Sequence, residues 1–305
     1  MDFDLLCRDA LNPRLELGAY EELWKQPGQS FKKIRELISP SSLMSSNLSV
    51  SSLVPEDVAD QRWNELQDYL RQKNLHDVEV LFENTIDFPA GLKDAKYPLA
   101  CFYYRGNLDL AFAPKRVAVV GTRNPTDDGR KRARVLARKL ADDGIVVVSG
   151  LARGIDTEAL SAAIQKGGKT IGVIGTPITE VYPKENSALQ EKIAREHLLI
   201  SQVPILRYLE NRNPQVNRIF FPERNITMSA LSDATVIVEA GETSGTLIQA
   251  RAALQQGRKV FILNSCFESG LKWPAALLAK PEAKGLVFRV KSYEEMREIL
   301  YGNAT

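Results

Sequence analysis

From residue 116 the chain repeats one pattern. A short run of apolar, mostly β-branched residues is followed by a longer stretch with apolar residues every three or four positions. The runs are VAVVG (117–121), IVVVSG (145–150), TIGVIG (170–175), LLISQ (198–202), ATVIVEA (234–240) and KVFIL (259–263). Most are apolar almost without interruption, as expected for strands buried on both faces of a parallel sheet. Helical spacing fills the intervals 128–142, 156–166, 185–196, about 223–232 and 245–256. Strand and helix alternating in this way predict an α/β fold built on a doubly wound, mainly parallel sheet. After Asn264 come a helix-like WPAALLAK, a strand-like LVFRV and a final helix, SYEEMREIL.

The first 75 residues follow a different pattern. ELGAYEELWK and FKKIRELI have helical spacing, and PEDVADQRWNELQDYLRQ opens with proline and acids, as helix starts do. Between them, eight serines fall within residues 39–52, a composition with too little apolar area to offset chain entropy. The expected organisation is a small N-terminal helical domain, 1–75, with a Ser-rich loop at 39–54, followed by a main domain, 76–305. Two strand-like runs, VEVLF and ACFYY, flank the turn-rich DFPAGLKDAKYP at the start of the main domain.

Composition narrows the field. The 305 residues are 44% hydrophobic and 26% charged, with a net charge of +2, so any polyanion site must come from a local concentration of Lys and Arg. Cys7, Cys101 and Cys266 are far apart, and His76 and His197 sit in no motif, so neither a disulfide framework nor a metal site is expected. The N-terminus has acids where a signal peptide has positive charge, and no apolar run reaches membrane-spanning length. A reduced, cytoplasmic setting away from membranes is the expectation.

In open α/β sheets, ligands bind where strands end and helices begin. Three glycine-bearing turns fall there. VAVVGTRNPT ends a strand at Gly121 and places Arg123 in the turn. VVVSGLARGIDTEA ends one at Ser149-Gly150 and puts Arg153-Gly154 before a helix. VIVEAGETSGTLIQA introduces a helix with Ser244-Gly245-Thr246. Glycine lets a backbone approach phosphate, helix N-terminal amides point at it, and arginines add charge-assisted hydrogen bonds. A single such turn is usually structural, but three at one sheet edge read as a phosphate-binding shelf. FFPERNITMSALSD adds Phe220, Phe221 and Arg224 nearby, rings suited to base stacking, with one phenylalanine expected in the core.

The helix after Gly121 carries Arg130, Arg134 and Arg138 at helical spacing. This row is either a solvated face or a guide for a polyanion. Asp156 and Glu158 open a helix, where capping is their expected role. AIQKGGKT lacks the first P-loop glycine and precedes a strand, and GTRNPT is not GxGxxG. No nucleophile–histidine–acid set can be assembled, so no catalysis and no cofactor are expected.

Taken in order, VAVVGTRNPT, VVVSGLARGIDTEAL, TIGVIGTPITEVYPKEN, FPERNITMSALSDATVIVEA and SGTLIQARAALQQGRKVFIL resemble the motif series of the DNA-processing protein A (DprA/Smf) family. The likeness covers roughly residues 76–300. It implies an extended Rossmann-like fold that binds single-stranded DNA in a basic pocket without catalysis, protects strands, loads a RecA-type recombinase and often dimerises. By position, the resemblance assigns the pocket to Gly121, Arg123, Ser149, Gly150, Arg153, Gly154, Phe221, Arg224, Asn225, Ser244, Gly245 and Thr246. Leu160 stands where the family usually has His, and Ile226 where it has a second arginine, which should weaken DNA binding. The chain ends at Thr305, leaving no room for the winged-helix domain of many members. The expectation is therefore a diverged member.

Two other classes of function compete with this reading. One is a protein that holds a partner, such as a toxin in a phage-defence or toxin–antitoxin pair, with a vestigial shelf. The other is a nucleotide-binding or nucleotide-hydrolysing Rossmann-like enzyme, since ETSGT is similar to the PGGxGT turn of phosphoribohydrolases. The catalytic Arg and Glu that accompany that turn find no match here.

Overall fold

The helical patterns near the N-terminus form helices with their own start signals. The computed structural model describes residues 12–39, 49–211 and 213–302, which divide into two compact units. The first consists of Met1–His76, Tyr97–Ala100 and Pro204–Asn217. Its helices α1 (Pro13–Leu23) and α2 (Phe31–Ile38) are capped by side chains: Asn12 accepts from the Arg14 and Leu15 amides, and Ser30 from that of Lys33. Helix α3 (Glu56–Gln72) crosses α1 at Gly18, where a Cβ would lie 1.9 Å from the Ala59 carbonyl oxygen. Leu17, Tyr20, Trp24, Phe31, Ile34 and Leu66 form the core of this unit.

Two buried acids organise the remaining backbone of the first unit. Glu21 accepts from the Ile205 and Leu206 amides at 2.7 and 3.0 Å, which caps the short helix Ile205–Glu210. Glu16 accepts from the Val50 and Ser51 amides and from the Ser49 and Ser51 hydroxyls. Residues 40–48 of the Ser-rich segment lie outside the described residues. Its end, Val50–Leu53, is a 3₁₀ turn rather than open loop, because the buried carboxylate gathers these donors. Apolar content alone did not reveal that partner.

The second unit, Asp77–Lys96, Cys101–Val203 and Arg218–Thr305, holds the sheet. Every strand run read from the sequence is present: β1 (Glu79–Phe82), β2 (Cys101–Gly106), β3 (Arg116–Gly121), β4 (Val146–Ser149), β5 (Thr170–Ile174), β6 (Leu198–Ser201), β7 (Ala234–Glu239), β8 (Lys259–Leu263) and β9 (Val287–Val290). Among the described residues they form one sheet in the order β1-β2-β6-β5-β4-β3-β7-β8-β9. The strands from β6 to β9 pair in parallel, and β1 and β2 are an antiparallel edge. β4, β5 and β6 are buried at every residue, which accounts for their unbroken apolar runs. Helices α4 (Asp127–Asp142), α5 (Ile155–Gln165), α6 (Ser187–Glu196), α7 (Phe220–Ala230), α8 (Thr246–Gln255) and α9 (Tyr293–Tyr301) belong to the same unit, with the shorter helices Asn264–Glu268 and Trp273–Leu278 between α8 and α9. Ala133, Leu136, Ala137 and Leu140 form the buried stripe of α4. Helix α7 begins three residues earlier than the spacing predicts. Pro222 falls in its first turn, where a missing amide hydrogen breaks no helical bond.

The strand order fixes where a ligand can sit. From β3 the chain steps through β4, β5 and β6 on one side, then returns to β7 on the other side of β3. This reversal opens a crevice outside the carboxyl ends of β3 and β7, the usual ligand position of a doubly wound sheet. Among the described residues no helix is long and apolar enough to cross a membrane.

At the antiparallel edge, the buried Arg105 of β2 donates from Nε and Nη2 to the two Asp77 oxygens at 2.9 and 2.8 Å, and from Nη1 to Glu191 of α6 at 3.0 Å. Hydrogen bonding from Arg105 holds the Glu191 carboxyl below its usual 4.5. A carboxyl depressed in the folded state contributes its full stability above the unfolded value and loses it as pH falls through the folded one. Glu191→Gln is therefore expected to be less stable than the parent at pH 7, by under about 1 kcal/mol because the carboxyl is 41% exposed. The deficit should shrink when urea unfolding is repeated near about pH 4. An undiminished deficit at the lower pH would assign the loss to packing instead.

Candidate nucleic-acid interface

The first two turns are pressed together by their glycines. Gly121 closes β3, and a Cβ there would lie 2.5 Å from Ile155 Cγ1 and 2.7 Å from the Glu239 carbonyl oxygen. Gly154 has a φ of +87°, and its Cβ would meet the Thr122 and Arg123 carbonyl oxygens at 2.5 and 2.7 Å. A positive φ and this proximity together leave no room for another residue. The Ile155 amide donates to the Thr122 carbonyl at 3.2 Å, and the Thr122 amide to that of Glu239 at 2.7 Å, so the first turn is bonded to both others. Arg123 and Arg153 consequently share one edge, with Arg153 Nη2 donating to Asn124 at 3.2 Å. Both arginines are exposed.

Arg224 reaches the same place from α7, but from below the surface. It is 5% exposed, and its Nη1 donates to the Val173 carbonyl at the end of β5 at 3.0 Å. A Cβ on Gly150 would lie 1.6 Å from that nitrogen, so the glycine makes room for the guanidinium. Asp156, also buried, accepts from the Gly150 and Ala152 amides at 3.2 and 3.4 Å. Burial pushes the Asp156 carboxyl up, against the pull of the Arg224 cation and the two amides. The same burial works against the Arg224 charge, with Asp156 countering and Arg123 adding repulsion. Two cations against one acid leave the crevice with an excess of positive charge, suited to an anion.

The third turn closes the other wall. Ser244 Oγ donates to Thr246 Oγ1 and accepts from the Thr246 amide, at 3.0 and 3.3 Å, and Asn225 Nδ2 donates to the Gly245 carbonyl at 3.1 Å. A cavity of about 320 Å³ lies between these groups, walled by Gly121, Arg123, Arg224, Asn225, Ser244 and Thr246 among others. A second cavity, about 500 Å³, continues past Gly150 and Arg153 to Tyr182 and Phe221. The two cavities share Arg123, Ala152 and Arg224.

Not every residue expected in the pocket faces it. Ser149 is fully buried, and its hydroxyl donates to the Val119 carbonyl at 2.6 Å, joining β4 to β3. Phe220 is the core phenylalanine; Phe221 is half-buried, with the Arg123 guanidinium 5.9 Å from its ring centroid. Ile226 occupies the position of the second arginine and is half-buried. Two arginines of the basic row on α4 are paired: Arg130 and Arg134 both meet Glu158, at 3.4 and 2.8 Å, as the neighbouring Arg132 meets Glu239. Glu158 thus serves as a counter-ion on α5, while Asp156 caps the loop ahead of that helix.

Tyr182 was missed. It lies in the turn after β5, another strand end at the same sheet edge, and its ring meets Phe221 edge-on at 5.6 Å. The signal was VYPKEN, an aromatic in a strand–helix turn without a phosphate-like glycine pattern. Among the described residues, no group of three or more His, Cys, Asp or Glu side chains is placed to hold a metal ion.

Known proteins share the sequence pattern and the fold. The family model for DNA recombination-mediator protein A matches residues 79–293. The DNA processing protein DprA of Bacillus subtilis is 36% identical over 212 residues, covering 69% of each chain. That of Streptococcus pneumoniae is 39% identical over 184 residues, 60% of this chain and 62% of its own length. The X-ray structure of the S. pneumoniae protein superposes with a TM-score of 0.69 at 29% identity, over 92% of this chain and 96% of that one. DNA processing protein A of Helicobacter pylori, a protein with its own single-stranded DNA binding mode, gives a TM-score of 0.58 at 29% identity, over 72% and 93%. The Rossmann-like architecture and the motif series lead to one assignment: the chain belongs to the DNA-processing protein A (DprA/Smf) family.

Proposed function

We propose that this chain is a DNA-processing protein that binds single-stranded DNA, without catalysis, in the crevice between β3 and β7. The observation that carries the reading is the convergence of Arg123, Arg153 and the buried Arg224 on three turns at the topological switch point. In this reading Arg123, Arg153 and Arg224 hold phosphates, and Asn225, Ser244, Gly245 and Thr246 line the facing wall. Phe221 stacks on a base. Gly121, Gly150 and Gly154 shape the turns, and Ser149 supports them from within the sheet. The H. pylori relative supplies the ligand class. Residues 76–305 are proposed as the domain that carries binding. Delivery of the strand to a RecA-type recombinase and pairing of two copies are extensions that rest on family membership alone.

Contact with about three to five phosphates gives a log–log salt slope near −0.7 per phosphate for a single strand. Affinity for an oligothymidylate, measured over a salt series, is expected to show this slope and to exceed affinity for duplex. A flat response would remove the electrostatic basis of the proposal. At fixed salt, Arg123→Ala and Arg153→Ala should each weaken binding by about 1.5–3 kcal/mol, the worth of a hydrogen bond to a charged group. Arg134→Ala, which removes a cation already paired with Glu158, should lose well under about 1 kcal/mol. A loss at Arg134 equal to that at Arg123 would move the site onto the α4 surface.

Incubation with nucleoside mono- and triphosphates is expected to release neither base nor phosphate. Release that disappears in Arg123→Ala would make the crevice an active site.

A further inference from the structure

The larger cavity has a wall that phosphate binding does not require. Tyr182 is 51% exposed and Val181 39%, so two apolar side chains stand in water at the rim. The Tyr182 ring meets Phe221 at 5.6 Å and 61°, and the Arg123 guanidinium lies 5.9 Å from the Phe221 ring centroid. Gly175 sets the depth of the cavity: a Cβ there would lie 2.7 Å from Phe221 Cδ1, so a side chain at 175 would push the ring outward.

The loop presenting Tyr182 is tied at several points. Gln190 Nε2 donates to the Glu180 carbonyl at 2.9 Å, and Ser201 Oγ to that of Thr176 at 2.7 Å. Asn186 Nδ2 donates to the Leu151 carbonyl and to Thr157 Oγ1, at 2.9 and 2.8 Å. Gln190, Ser201 and Asn186 are themselves buried. The backbone that carries the ring is therefore anchored on both sides before any ligand arrives, which lowers the ordering cost of binding.

The two cavities differ in chemistry and share the Arg123–Arg224 wall. The smaller offers hydroxyls, an amide side chain and cations. The larger offers two aromatic rings beside cations, in a volume within the range of small-ligand sites. We propose that Tyr182, with Phe221, forms a receptor for one unpaired nucleobase whose phosphate lies in the β3–β7 crevice. This rests on the DNA-binding reading above and adds to it the origin of strand selectivity. Ring stacking accepts any base, because every base has a π-face. A base inside a duplex is already stacked and paired, and reaches such a receptor only by being flipped out.

The test compares three ligands of equal length: an oligothymidylate, an abasic deoxyribose-phosphate strand and a duplex. Tyr182→Ala is expected to weaken oligothymidylate binding about tenfold, within the range for loss of one base–aromatic stack. Binding of the abasic strand should be unchanged, and the preference for single strand over duplex should narrow. Tyr182→Phe, which keeps the ring, should restore parental affinity, with thermal melting confirming that both variants are folded. Equal losses on thymidylate and abasic strands, or no loss on thymidylate, would overturn the base receptor while leaving the phosphate site standing. Failure of the parent protein to bind either strand would remove the DNA-binding reading, and this inference with it.

Discussion

Arg224 is a cation held beneath the surface, and several elements are shaped around it. Gly150 has no side chain because the guanidinium occupies that space, the end of β5 supplies the Val173 carbonyl, and Asp156 supplies a nearby negative charge. A charge in such a place is unfavourable unless hydrogen-bonded and compensated. The same Asp156 accepts the Gly150 and Ala152 amides, so the loop after β4 takes its shape from the group that offsets the arginine. Through Gly154 and the Ile155 amide, that loop in turn fixes the turn bearing Arg123. The crevice, its depth and the direction of its exposed arginines follow from how one buried cation is accommodated.

The electrostatics of the surroundings sharpen this arrangement. On α4, Glu158 and Glu239 meet Arg130, Arg134 and Arg132, so the most basic helix of the sequence contributes less field than its composition suggests. In the crevice, Arg123 and Arg224 face a single buried acid whose own charge is opposed by burial. Positive charge is thus in excess in the crevice, which suits it to an anion although the protein as a whole is near neutral. An overall basic charge is unnecessary for that result.

Some of this was legible in the chain itself. The nearly unbroken apolar runs determined the parallel strands, since a strand buried on both faces takes a polar residue at a cost unless its side chain finds a hydrogen-bond partner, as Ser149 and Ser201 do. The switch in period located the helices to within a few residues. Glycine and arginine at strand ends marked three turns, and their order and spacing were specific enough for the family. The N-terminal helices were legible from spacing and, for the third, from the proline and acids that open it; the side-chain caps at Asn12 and Ser30 emerged only in the structure.

Tertiary structure decided which polar groups meet. Ser149 and Arg224 both looked like pocket residues; the Ser149 hydroxyl turns inward to Val119, whereas Arg224 does line the pocket, as the buried wall shared by two cavities. Glu158 could cap a helix or neutralise a neighbouring one, and only the packing of α4 on α5 chose the second. Glu16 and Glu21 gave no local signal, because their partners are separated from them by between 33 and 185 positions in the chain. Periodicity reports what a residue does to its own strand or helix. The site is made of contacts between residues distant in sequence, and those are fixed only when the sheet order brings the strand ends together.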